Sequence, residues 1–143
     1  MTNEQMKRFI DGNIRASLRD ARYFRKMLRD FGLPGVIALS VILGRRIGRY
    51  MADKPFINGV ISGKIREDVF VRNMGKLLVD DIDVAVKNGK IQSTVGNGAN
   101  DELKKKILQA HTIKELLAIV PNNKTLKEAD RLFTQARMQG NLA

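Results

Sequence analysis

Apolar residues recur along the first thirty positions at Met6, Ile10, Ile14, Leu18, Ala21, Phe24, Leu28 and Phe31. Steps of three and four are one face of an α-helix, so a long first helix is predicted. Thr2, with Gln5 three residues on, has capping-box spacing at its start. Gly32 and Pro34 end it, and Gly12-Asn13 weakens its first half. The segment 35–50 follows, with Val36, Ile37, Leu39, Val41, Ile42 and Leu43 leaving no polar face. That pattern predicts burial on all sides. Gly44 and Gly48 within it would permit close helix approach or a break. Lys54-Pro55 and Asn58-Gly59 read as loop.

Residues 64–95 carry two patterns. As a helix, Phe70, Met74, Leu77, Leu78, Ile82 and Ala85 share a face, and Asn88-Gly89 is the stop. As strands, Ile82, Val84 and Val86 alternate with polar residues. Asn88-Gly89 then makes a type I′ turn, and 90–95 returns as the partner strand. The β-branched content favours the hairpin for 82–95, so a helix over about 66–79 followed by a single β-hairpin near 82–95 is expected. Residues 95–100, Val-Gly-Asn-Gly-Ala-Asn, read as a linker.

The tail is helical again. Asn100 is placed to cap a helix through Leu103, Ile107 and Leu108. Thr112 with Glu115, and Thr125 with Glu128, repeat the capping-box spacing ahead of two further apolar stripes. The expected fold is therefore mainly α, a small helical protein of about five or six helices. A basic helical domain over 1–95 would precede a helical hairpin over 96–143.

Charge changes this picture from fold to function. The 143 residues hold 26 Lys and Arg against 15 Asp and Glu, a net +11. Residues 1–50 contribute +7 of it, mostly as Arg, and residues 51–143 only +4. Arg forks onto phosphate or carboxylate oxygens in a way Lys does not. Arg15, Arg19, Arg22, Lys26 and Arg29 form a basic stripe on the first helix, at the same steps as its apolar face. Arg45, Arg46 and Arg49 close the apolar segment. These eight are the candidate nucleic-acid-binding residues, since backbone phosphates need only positive charge at a suitable pitch. DNA, RNA or another anionic surface is the expected partner.

Catalytic chemistry finds little support. There is no Cys, and the single His111 has no second His beside it, so no metal site is expected. No nucleophile elbow surrounds any Ser, and the glycines lack phosphate-loop spacing. Asp80, Asp81 and Asp83 read as a solvated turn, or as paired with Lys76 and Lys87, rather than as a cation site. The segment 112–129 partly resembles a helix-turn-helix, which would present Lys124, Lys127, Arg131 and Arg137 to DNA. Pro121-Asn122 in its turn departs from that pattern, and a plain helical hairpin is the better reading.

The expectation is a non-enzymatic, cofactor-free protein that binds nucleic acid by charge with little sequence specificity. Two alternatives stand beside it. One is a structural subunit of a virion or other large assembly, or a homo-oligomer, working through the apolar 31–50 segment and the basic face. The other is a peripheral membrane protein, because a basic amphipathic helix also suits a lipid surface. The longest apolar run, 33–44, falls short of the roughly 20 residues a span needs. The charged N-terminus does not suit a secretory signal peptide, so a cytoplasmic or within-assembly location is expected.

Overall fold

The structure, a computed structural model, describes Glu4 and residues 18–93 and 96–140, with side chains on the first helix from Arg22 onward. Six helices account for its regular structure, and no strand occurs among the described residues. They are α1 (Leu18–Met51), α2 (Lys54–Ile61), α3 (Glu67–Lys87), α4 (Asn97–Gln109), α5 (Ile113–Leu117) and α6 (Lys124–Met138). The expected capping box at Thr2 and the weak point at Gly12-Asn13 lie outside the described residues.

The two predicted N-terminal segments form one kinked helix. Gly32 adopts φ 71° and ψ 170°, which is not helical. A side chain there would be strained, so glycine is the residue that lets the chain turn. Pro34 then falls in the first turn of the second half, where its missing N–H costs no hydrogen bond. The inward stripe runs Phe24, Met27 and Phe31, then Val36, Leu39, Leu43 and Ile47. The second half is not buried on all sides as its composition predicts. Ile37 and Val41 stand 42% and 45% exposed, because four residues on the other side of the helix already fill the core.

The expected loop at 54–59 is instead α2. Pro55 sits in its first turn, where proline starts a helix, and Phe56 and Val60, four apart, are buried. The β-hairpin expected near 82–95 does not form. Residues 82–87 complete α3, because Leu78, Ile82 and Ala85 continue its core stripe. Burial of that stripe outweighs the strand preference of Val84 and Val86. Asn88-Gly89 acts as the helix stop. The Gly89 N–H donates to the Val86 carbonyl (3.1 Å) and the Lys90 N–H to the Ala85 carbonyl (2.9 Å). Gly89 has φ 73°, and Ile91 beyond it is buried. The two bonds are those of a Schellman cap.

α4 begins at Asn97 after Gly96, three residues before the predicted cap at Asn100. The Thr112 cap is as expected. Its hydroxyl accepts from the Glu115 N–H (3.2 Å), while the Glu115 carboxylate accepts from the His111 N–H. The cap of α6 is Asn123 rather than Thr125, two residues earlier than its spacing suggests. Asn123 Oδ1 accepts from the Leu126 N–H (3.0 Å). Its Nδ2 donates to the Ser40 carbonyl (2.7 Å) and to Ser40 Oγ (3.1 Å) on α1. One side chain thus starts α6 and ties it to α1. Gly44 makes room for it: a Cβ there would lie 3.2 Å from Asn123 Nδ2.

One core cluster draws on every helix and runs through both sides of residues 94–95. α6 packs on α1, α2 and α5, and α3 packs on α1 and α4. Tyr50, Phe56, Phe70 and Phe133 join α1, α2, α3 and α6, with ring centroids 4.9–5.7 Å apart along the chain Tyr50–Phe70–Phe56 and Phe70–Phe133. Buried Glu67 at the start of α3 accepts from the Ile113 N–H (3.2 Å) and pairs with Arg137. That carboxylate therefore holds the start of α5 and the end of α6.

Candidate anionic-partner interface

α1 positions most of the predicted cations, and their environments differ. Arg15 lies outside the described residues, and Arg19 falls in the α1 stretch whose side chains are not described. Arg22 is exposed. Lys26 is half-buried and pairs with Glu102 of α4. Arg29 is exposed, with Asp30 Oδ1 3.5 Å from its Nε. Arg45 and Arg49 are exposed, and no carboxylate pairs with either among the described residues. Arg46 differs from its neighbours. Its Nε and Nη2 donate to Asp81 at 2.9 and 2.6 Å, a two-pronged bond joining α1 to α3. The bond to Asp81 raises the Arg46 guanidinium above its already high ordinary value, against the opposing effect of burial. Lys26 and Arg46 thus act as cross-links within the fold.

The acidic cluster is divided by helix geometry. Residues 81 and 83 are two apart and point to different sides of α3. Asp81 takes Arg46 and Asp83 takes Lys104 of α4, rather than the expected Lys76 and Lys87. In the tail, Lys124, Lys127 and Arg131 are exposed, while Arg137 is engaged by Glu67.

α1 and α3 run antiparallel, since Arg46 meets Asp81 while Tyr50 meets Phe70. Between them lies an open cavity of about 390 Å³. Val41, Ile42, Val84 and Ala85 contribute its apolar lining, and Arg45, Arg49 and Lys90 contribute charge that no carboxylate pairs among the described residues. A second cavity of about 390 Å³ lies toward the N-terminal end of α3, with Val69, Phe70 and Leu77 beside Lys64 and Arg66. Lys90 and exposed Arg25 are cations that the stripe pattern passes over. Lys90 joins Arg45 and Arg49 only through tertiary folding. Arg25 was legible as an α1 residue three beyond Arg22.

Among the described residues, Arg22–Met51 is long and apolar enough to cross a membrane, by length and composition. Its inward face is packed by the other helices. Comparison of the chain with protein families, curated proteins and solved structures finds no match.

Proposed function

We propose that this is a non-enzymatic protein that binds nucleic acid through charge, with little sequence specificity. The reading is carried by the exposed arginines Arg22, Arg25, Arg45 and Arg49 on one helix of a chain with net charge +11. Guanidinium groups that no carboxylate pairs among the described residues can replace the counterions condensed on a phosphate backbone. Lys26 and Arg46 contribute less, because each already holds a carboxylate.

The test is a salt titration of binding to a random DNA duplex and to RNA. Replacing all four arginines by Gln should lower the slope of log K against log salt by about 3 to 4, at roughly 0.9 for each duplex phosphate the protein ceases to neutralise. An unchanged slope and affinity would overturn the reading. The length and apolarity of α1 favour a second reading, contact with an anionic lipid surface, which co-sedimentation with anionic vesicles tests.

A further inference from the structure

We propose that the α1–α3 groove is the docking site of an acidic amphipathic helix from a partner protein. Seven large hydrophobic side chains are exposed among the described residues, and five of them lie on α1 and α3: Ile37, Val41, Val69, Leu77 and Val84. Val41 and Val84 line one cavity, Val69 and Leu77 the other. On α3, positions 70, 74, 77, 81 and 84 advance by threes and fours, so the two cavities follow one face of that helix. From Phe70 to Val84 this face spans about 21 Å at 1.5 Å per residue, the reach of a four-turn helix.

Charge selects the occupant. Arg45, Arg49 and Lys90 border the first cavity and Lys64 the second, none of them paired among the described residues. The one carboxylate lining the first cavity, Asp81, is held by Arg46. A second copy of this chain would bring these cations against their own kind. Nucleic acid would meet the arginines but leave Val41 and Val84, 45% and 57% exposed, facing water or phosphate. A helix with an apolar stripe and acidic flanks matches both the floor and the rim. This inference is independent of nucleic-acid binding, although the two partners would compete for Arg45 and Arg49.

The probe is a synthetic peptide of about 18 residues, with Leu at i, i+3, i+4 and i+7 spacing and Glu elsewhere. Its binding to the full chain is followed by fluorescence anisotropy at about 0.15 M salt, beside a scrambled peptide of the same composition. The amphipathic peptide should bind at least about tenfold more tightly than the scrambled one. Val84→Asp, at an exposed position, and Arg45→Glu with Arg49→Glu should each weaken it about tenfold or more. Val41→Gln serves as a second probe of the floor if Val84→Asp does not fold. Arg22→Gln with Arg25→Gln should leave peptide affinity within about twofold while weakening duplex DNA binding. Equal affinity for both peptides overturns the proposal, as does indifference to both floor substitutions in folded protein. Capture by anionic vesicles with no peptide binding assigns the face to lipid and also overturns it.

Discussion

Asn123 holds two helices with one amide, and the two jobs can be separated by substitution. Its Oδ1 caps α6 through the Leu126 N–H, and its Nδ2 holds the Ser40 carbonyl of α1. The residue is 7% exposed, so water does not readily replace either bond. Asn123→Ala removes the cap, at about 1 kcal/mol, and removes the bond from Nδ2 to the Ser40 carbonyl, at about 1 kcal/mol more. The total of about 2 kcal/mol corresponds to a fall in Tm of about 6 °C for a chain of this size. Asn123→Ser keeps a capping oxygen and loses the tie to α1, so it should cost about half as much. Asn123→Asp is the sharper case. Asp caps as well as Asn, but it would set a carboxylate where an amide now donates to a carbonyl at 2.7 Å. It should therefore rank below Ser. Thermal and urea unfolding followed by circular dichroism give the ranking. The reasoning is refuted if Asp matches the parent protein, because the tie to α1 would then contribute nothing. It is equally refuted if Ala costs less than about 0.5 kcal/mol, the range of an ordinary surface change.

Three further outcomes follow from the packing and the titrating groups. A Cβ at Gly75 would lie 3.2 Å from the Ile107 carbonyl, so Gly75→Val should push α4 off α3 and cost about 2 kcal/mol in urea unfolding. Glu67→Gln keeps an acceptor for the Ile113 N–H but removes the charge facing Arg137. It should cost about 1 kcal/mol, discounted because Arg137 is 40% exposed, and an unchanged urea midpoint would dismiss the pair as a fastener. Burial pushes the Tyr23 hydroxyl up to about 12, helped by the negative charges of Glu102 and Asp30. The fold thus favours the protonated phenol. Its contribution is complete below pH 10 and is lost as pH rises from there through about 12. Tyrosinate absorbance in a Tyr50→Phe background should show that raised midpoint, and Glu102→Gln should lower it; a midpoint near 10 would count against the burial.

Where local and tertiary signals agreed, the helices were legible in the sequence. The Thr112–Glu115 box and the apolar stripe of α6 appear where the residues place them, and the stop expected at Gly32 appears as a kink within α1. The departures from local preference share a cause. Residues 82–87 carry strand-forming valines, yet Ile82 and Ala85 fall on the stripe begun by Leu78, and burying that stripe decided the matter. Thr125 has the spacing of a cap, but Asn123 also reaches Ser40, 83 residues away in the chain, and the helix starts there. The candidate interface was legible only in part. Arg45 and Arg49 were marked by local charge, whereas Arg46 was indistinguishable from them until Asp81 was set beside it.

By itself, then, the sequence determined the mainly helical class, the surplus of positive charge in its first third, and some of the helix boundaries. These depend on periodicity, capping and composition, all of which act within a few residues. Tertiary structure decided which cations are spent inside the protein, as Lys26 and Arg46 are, and which remain available, as Arg45 and Arg49 do. It also brought Val41 and Val84 together, 43 residues apart, into a groove beside Lys90. Neither outcome has a local signature, because ion pairing and the gap between packed helices depend on distances that only the folded chain sets.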